Sequence, residues 1–165
     1  MPDISPDVIA AAQAAQRTYG ILASVSIAQW ALESGWGAKT TGAFNYFGIK
    51  AGPDQPGRLC PTHEVIGGQR IEVNCKFRDF ASETEAFAYH AALLATGKPY
   101  ADAWKVRGDY VAYVQAMAPR YATDPNYAHL LISIIQGDSL TRYDLPPAPA
   151  APSPIDQLKS AIGAA

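Results

Sequence analysis

The sequence of 165 residues lacks an excess of charge of either sign, because 13 Lys and Arg residues stand against 15 Asp and Glu residues, a formal net charge of −2. It shows no basic stripe of the kind that binds nucleic acid, so we expect no nucleic-acid partner. Its apolar runs are too short and too interrupted for a transmembrane helix, which needs about 20 apolar residues. The three His and two Cys residues match no metal-ligand spacing, so neither a metal nor another cofactor is predicted.

The first residues, Met1–Pro6, lack the basic start and apolar stretch of a signal peptide, so we expect export by another route. A chain of this length can bury a hydrophobic core without disulfides or metals. One domain is therefore predicted over residues 1–144. Pro and Ala then predominate, which predicts an exposed linker over 145–154, and a short helix or disordered tail is expected over 155–165.

What the sequence does contain is mainly helical patterning. Ser5-Pro6 is typical of an N-cap followed by proline in the first turn, and Gly20 is a stop signal. Apolar residues then recur at helical spacing up to Gly35. Asp124-Pro125 predicts another capped start, for a helix that continues to Gly137. The predicted helices cover about 7–17, 21–34, 82–95, 100–106, 109–117 and 124–137.

Residues 59–78 change period, because apolar and polar residues alternate from Arg70 to Phe77, as in a strand. Gly67-Gly68 predicts a two-residue hairpin turn. That turn places Cys60 opposite Cys75, and we predict a disulfide between them. It would close a loop of roughly 15 residues and stabilise the hairpin by up to about 3 kcal/mol. The alternative is a pair of reduced thiols in a cytosolic protein.

These elements predict a mainly α (α+β) fold, in which one small β-hairpin lobe is inserted between helices. The hairpin and the helical part form two lobes of unequal size. A cleft between such lobes is a natural place for a polymer to bind.

The strongest functional signal is Glu33, at the end of an apolar helix and just before the turn Gly35-Trp36-Gly37. The negative end of the helix and burial against Trp30 or Trp36 both disfavour the carboxylate and raise the pKa of Glu33. A carboxylic acid that keeps its proton near neutral pH can protonate a leaving group, as glycosidic bond cleavage requires. The alternative is a solvated Glu at a helix end.

Other polar and aromatic residues are candidates for the same site. The predicted register puts Glu64 on an apolar strand face, where a carboxylate is unusual unless it faces a cleft or a partner; the alternative is an edge charge or a salt bridge. Tyr121 and Tyr127 are candidates for sugar stacking and hydrogen bonding. Asn45 is a candidate for binding an acetamido group, with turn formation as the alternative. Three aromatic residues are also predicted to contact substrate: Trp36, Tyr46 and Phe47.

Five segments, in this order, resemble glycoside hydrolase family 73, the bacterial and phage endo-β-N-acetylglucosaminidases that cut peptidoglycan. The resemblance covers about residues 5–143 and implies a lysozyme-like fold. It implies that Glu33 is the catalytic acid, that Glu64 is a second carboxylate in the β-lobe, and that Tyr121 or Tyr127 is functional. Val65 departs from the family, where an aromatic residue is expected, and the paired cysteines are unusual. The segments are Ala31–Gly37, Asn45–Lys50, Thr62–Glu64, Phe77–Ser82 and Tyr121–Ala128.

The predicted function is therefore cleavage of the β-1,4 bond between N-acetylglucosamine and N-acetylmuramic acid in peptidoglycan glycan strands, by a monomer that acts on the bacterial cell wall. The expected setting is a phage endolysin released through a membrane lesion; an injected toxin and a flagellar-rod hydrolase are alternatives. Two other functions stay open. A muramidase would use the same acid on the neighbouring linkage, and a wall-binding module would have no catalysis.

Overall fold

The computed structural model describes residues 3–146, except for the side chains of residues 63–66 and 70. The linker and tail predicted beyond residue 146 lie outside this range. Two 3-10 helices cover Lys98–Tyr100 and Leu140–Tyr143. Within the described range, no helix has the length and apolar character to cross a membrane. The main elements are α1 (Pro6–Tyr19), α2 (Ala23–Ser34), β1 (Gly57–Ile66), β2 (Gln69–Arg78), α3 (Glu83–Thr96), α4 (Ala101–Lys105), α5 (Tyr110–Tyr121) and α6 (Tyr127–Gly137).

Helix α2 lies at the centre of the molecule. Apart from Gln29 and Glu33, its residues are apolar or small, and nearly all of its side chains are buried, as expected for a helix enclosed by others. Helices α1, α5 and α6 and the last 3-10 helix contact it, and α1 also packs on α3. The two residues of α2 that escape full burial are Leu32 and Glu33, close to its C-terminus. The buried helix α2 therefore positions Glu33 at the surface.

The N-terminus of α2 is capped from the far end of the chain. Its own N-cap residue, Leu22, has no side chain able to accept a hydrogen bond. Asp144 takes this role, because its carboxylate accepts from the Ser24 backbone N–H at 2.7 Å and from the Ser24 hydroxyl at 2.8 Å. Gln16 of α1 bonds both the N–H and the carbonyl of Leu145 at 3.0 Å. The segment after the last 3-10 helix is thus tied to α1 and α2.

The β-lobe is a single antiparallel hairpin, and its predicted register is confirmed. Gly67 and Gly68 form the turn with φ of 60° and 80°, and Cys60 faces Cys75. The predicted disulfide is wrong for this structure, in which both residues are thiols. The reason is the direction of the Cys60 thiol, which donates a hydrogen bond to the Thr41 carbonyl oxygen at 3.3 Å. Its sulfur is therefore directed to the neighbouring loop.

The loop between α2 and β1 lies directly against β2. A Cβ at Gly42 would stand 2.4 Å from the Arg78 carbonyl oxygen, so only glycine permits this approach. The Ala43 N–H donates to Asp79 at 2.6 Å, and the Arg78 N–H donates to the Ile49 carbonyl at 2.9 Å. These bonds hold the loop and the root of the hairpin together.

Two predicted helix boundaries are wrong. Helix α5 continues past residue 117 to Tyr121, with Pro119 in its last turn. Helix α6 begins at Tyr127 and not at Pro125, because Asp124 accepts from the Asn126 N–H at 2.8 Å and closes a turn before the helix. The tight connection between α5 and α6 brings Tyr121 and Tyr127 side by side.

Candidate active site

Glu33 is the penultimate residue of α2, and the turn after it fixes where the helix ends. Gly35 has φ of 58° and its N–H closes the last helical turn. Trp36 and Gly37 are also left-handed, with φ of 61° and 81°. A Cβ at Gly37 would stand 2.8 Å from the Trp30 ring, so the glycine lets the returning chain pack on that tryptophan. The turn leaves the Glu33 side chain standing at the helix end.

Tyr127 holds the Glu33 carboxylate. Its hydroxyl donates a hydrogen bond of 2.6 Å to Glu33 Oε1, and it accepts one from Gln29 Nε2 at 3.3 Å. Burial raises the pKa of Tyr127, so the phenol keeps the proton that it donates. Although Glu33 reaches solvent, surrounding protein desolvates its carboxylate and raises its pKa, and the Tyr127 hydrogen bond opposes that rise. The predicted direction of the Glu33 pKa shift is confirmed.

Tyr121 and His90 extend this group of side chains. The Tyr121 ring stacks on Tyr127 with 5.4 Å between centroids. His90 Nε2 lies 3.2 Å from the Tyr121 hydroxyl, and the imidazole stacks on Phe47 at 4.0 Å with an interplanar angle of 7°. Burial raises the pKa of Tyr121 and lowers the pKa of His90 to about 3. Both groups are therefore neutral at physiological pH.

A cavity of about 440 Å³ opens beside these residues. Glu33, His90 and Tyr121 form its polar part, and aliphatic and aromatic side chains form the rest. A volume of this size, with one carboxyl group among apolar walls, suits a sugar ring that is positioned by few polar contacts. The other lining residues are Phe47, Gly48, Ile49, Leu93, Leu94, Tyr100 and Ala122.

Asn45 was predicted to bind substrate, and that prediction is wrong. The side chain is fully buried. Its Nδ2 donates to the carbonyl oxygens of Ile49 and Arg78, each at 2.8 Å, and its Oδ1 accepts from the Ile49 N–H at 3.0 Å. Both amide hydrogens and the amide oxygen are bonded to backbone groups, and the side chain has no exposed surface with which to contact a ligand. Asn45 instead joins the loop to β2.

The three aromatic candidates lie in different places. Phe47 lines the cavity but is 6% exposed and packs on Phe87 and His90. Trp36 and Tyr46 are half-buried and pack edge-on against Trp30, outside the residues that line the cavity. Substrate contact by Trp36 and Tyr46 therefore stays a prediction.

Glu64 lies in β1, and its backbone pairs with Ile71 as predicted. Its side chain is outside the described part of the structure. The role of Glu64 as a second carboxylate therefore stays a prediction.

Sequence reasoning missed two residues of the site. Gln29 lies on the buried helix α2 and donates a hydrogen bond to the Tyr127 hydroxyl. His90 lies on α3 among Ala86, Phe87, Ala91 and Leu94, all of them buried. A histidine within an apolar helix face was the available signal, because a fully buried imidazole needs a hydrogen-bond partner. No group of three or more His, Cys, Asp or Glu residues in the described range is placed to hold a metal ion.

Comparison with known proteins places these residues in a family. Residues 9–140 match the model of the Glucosaminidase family, described as mannosyl-glycoprotein endo-beta-N-acetylglucosaminidase. The chain is 34% identical over 146 residues to a probable N-acetylmuramidase of Lactococcus lactis, covering 83% of this chain and 33% of the relative. It is 33% identical over 144 residues to the exo-glucosaminidase LytG of Bacillus subtilis, covering 81% and 50%. The chain thus spans between a third and a half of the length of these two relatives.

The fold agrees with this match. The catalytic domain of the autolysin Auto from Listeria monocytogenes superposes with a TM-score of 0.77 at 30% sequence identity. The superposition covers 87% of this chain and 89% of that domain. Similarity therefore extends over most of both chains.

Proposed function

The chain belongs to the Glucosaminidase family, glycoside hydrolase family 73, and we propose that it hydrolyses the β-1,4 bond between N-acetylglucosamine and N-acetylmuramic acid in peptidoglycan, with Glu33 as general acid. One observation carries this proposal. A carboxyl group of raised pKa, bonded by the Tyr127 hydroxyl at 2.6 Å, opens into a cavity large enough for a sugar ring.

In the proposed reaction, protonated Glu33 transfers its proton to the glycosidic oxygen as the bond from C1 to that oxygen breaks. The bonding electron pair stays on the oxygen, so the departing sugar leaves with a hydroxyl group, and positive charge develops at C1. Glu33 becomes a carboxylate in the same step. Because a hydrogen bond to a charged acceptor is stronger than one to a neutral acid, the Tyr127 hydroxyl favours this change. General acid assistance of this kind is worth roughly 10²–10⁴-fold in rate.

Two routes complete the reaction, and they differ in stereochemistry. Glu64 can activate a water that attacks C1 from the opposite face, which inverts the anomeric configuration. Alternatively, the 2-acetamido oxygen of the substrate attacks C1, and water then opens the cyclic intermediate, which retains the configuration. The anomer that forms first, read by proton NMR before mutarotation, separates the two routes. Retention with an active Glu64→Gln variant would remove Glu64 from the chemistry.

The bond specificity is the second point to test, because a muramidase would use the same acid on the neighbouring linkage. A relative of this chain is named a probable N-acetylmuramidase. Digestion of purified peptidoglycan, followed by borohydride reduction and mass spectrometry, identifies the sugar at the new reducing end. Reduced N-acetylglucosamine is expected, and reduced N-acetylmuramic acid would establish the muramidase alternative.

The test of the acid is Glu33→Gln, which keeps the shape of the side chain and removes the acidic proton. We expect release of soluble fragments to fall by 10²-fold or more, in line with the loss of a general acid. Asp102→Asn is the matched control, because that carboxylate is exposed and pairs with Lys105 at the surface. Fragment release by E33Q at the wild-type rate would refute the role of Glu33. Equal loss in the control would point to a general effect of charge.

The biological setting is a further proposal. We retain the phage endolysin as the expected role and a monomer as the active species. Lysis of host cells by the chain only when a membrane-permeabilising protein is co-expressed supports the first, and a sedimentation mass of one chain supports the second.

A further inference from the structure

Tyr100 is a residue of the cavity wall that the proposed mechanism does not use. It is the last residue of the 3-10 helix Lys98–Tyr100, and it is half-buried. Its hydroxyl has no hydrogen-bond partner among the described residues. Burial raises the pKa of Tyr100, so the side chain is a neutral phenol at physiological pH. A neutral phenol can both donate and accept a hydrogen bond.

The local backbone fixes the position of the Tyr100 ring. The Tyr100 N–H donates to the Gly97 carbonyl oxygen at 2.9 Å, and Pro99 restricts the chain between them. A Cβ at Gly97 would stand 2.9 Å from the Tyr100 ring and 2.5 Å from the Leu93 carbonyl oxygen. Only glycine therefore lets the ring pack this closely on the end of α3. Tyr100 lines the cavity together with Leu93 and Leu94 of that helix.

The other polar side chains of the cavity already have partners in the protein. Glu33 Oε1 accepts from the Tyr127 hydroxyl at 2.6 Å. His90 Nε2 lies 3.2 Å from the Tyr121 hydroxyl. Because most polar groups that protein removes from water are hydrogen-bonded, the unpaired Tyr100 hydroxyl calls for an explanation. A ligand that enters the cavity would supply the missing partner.

We propose that Tyr100 is a substrate-binding residue, whose hydroxyl forms a hydrogen bond with an uncharged oxygen of the N-acetylhexosamine held beside Glu33. The described residues that line the cavity include no Lys or Arg, so no positive charge is present to balance an acidic substituent. A sugar hydroxyl or an acetamido carbonyl matches a neutral phenol instead. This inference rests on the proposed function, because that function identifies the ligand as a sugar.

The direct test is substrate binding without cleavage. Titration calorimetry compares E33Q, which we expect to be inactive, with the double variant E33Q/Y100F. The probe is a soluble tetrasaccharide of alternating N-acetylglucosamine and N-acetylmuramic acid. Tyr100→Phe keeps the ring and removes the hydroxyl, so we expect the Kd to rise about three- to tenfold, in line with the loss of one hydrogen bond between neutral groups. An unchanged Kd would overturn the proposal.

Tyr113→Phe in the same E33Q background is the control for loss of a hydroxyl. The Tyr113 hydroxyl also has no partner in the described part of the chain, but it is buried and Tyr113 does not line the cavity. E33Q/Y113F should bind the probe as E33Q does, and equal weakening in both double variants would overturn the proposal. Y100F should keep the wild-type melting temperature or raise it slightly. A lowered melting temperature together with weaker binding would assign the hydroxyl a structural role and also overturn the proposal.

Steady-state kinetics of Y100F, with Glu33 intact, separate binding from chemistry. A contact made equally in the ground state and the transition state changes KM and not kcat, so we expect a raised KM at an unchanged kcat. The falling limb of the pH profile should stay in place, because Tyr127 and not Tyr100 bonds Glu33. A moved limb, or a lowered kcat at an unchanged KM, would overturn the proposal. Fragment release by E33Q is measured separately: an active E33Q would refute the proposed function, whereas an unchanged Kd would refute only the role of Tyr100.

Discussion

Tyr127→Phe is the substitution that most directly probes the candidate site, because it removes one oxygen and leaves the ring in place. That oxygen donates to Glu33 Oε1 at 2.6 Å and accepts from Gln29 Nε2 at 3.3 Å. A hydrogen bond to a charged group contributes about 1.5–3 kcal/mol, and a buried donor left without a partner costs about 1–3 kcal/mol. The variant therefore loses support for the Glu33 carboxylate and leaves the Gln29 amide unsatisfied.

The two losses have different signatures. The unsatisfied Gln29 donor lowers the free energy of unfolding at every pH, by about 1–3 kcal/mol. The lost bond to Glu33 raises the pKa of that group further above its unfolded value, so ionised Glu33 destabilises the variant more as pH rises through the folded pKa. In activity, the falling limb of the pH profile moves to higher pH, and the plateau rate falls because the acid is no longer held.

Tyr113→Phe is the matched control. Tyr113 is 1% exposed, and its hydroxyl has no hydrogen-bond partner among the described residues. Removing that oxygen should leave stability and the pH profile unchanged or raise the melting temperature slightly. Thermal melts at pH 4 and pH 8, together with fragment release across the same range, make the comparison. A falling limb in Y127F that stays in place or moves to lower pH would refute the reasoning about Glu33.

Two further predictions concern stability. Asn45→Ala should lower the free energy of unfolding by about 2–4 kcal/mol, because two buried carbonyl oxygens and one N–H lose their partner. The folded variant should keep the wild-type KM when it is assayed well below its melting temperature. A raised KM with unchanged stability would instead place Asn45 in the binding site. Asp144→Ala should lower the free energy of unfolding by about 1–2 kcal/mol through loss of the cap on α2, which corresponds to a decrease of about 2–8 °C in melting temperature. An unchanged melting temperature would show that the cap contributes nothing to stability.

Local pattern was enough to predict much of the fold. Strict alternation and the Gly67-Gly68 pair determine the hairpin register, because a two-residue turn leaves one way to pair the strands. The start of α6 was mispredicted because Asp124-Pro125 fits a capped helix start as well as the turn that it forms. Both outcomes depend on a few neighbouring residues.

The site was less predictable, because its contacts join residues far apart in the chain. Glu33 is marked by its position at a helix end, but only the packing of α2 against α6 selects Tyr127 rather than Tyr121 as its direct partner. Asn45 was mispredicted as a substrate-binding residue, because the local sequence of a polar residue beside aromatic residues is the same whether its side chain binds a ligand or backbone groups. His90 is marked in the sequence only as a histidine within an apolar helix face, and only tertiary structure places it next to Tyr121.

The contacts between the α2–β1 loop and β2 have a mechanical consequence. Asn45, Ala43 and Ile49 fasten the loop to Arg78 and Asp79, at the root of the hairpin. The hairpin is therefore held at its root, and a force on its outer part is expected to bend the two strands without moving the loop that holds them. Phe47, Gly48 and Ile49 lie in that loop and line the cavity. We therefore expect the wall beside Glu33 to keep its shape when a force acts on the outer part of the hairpin.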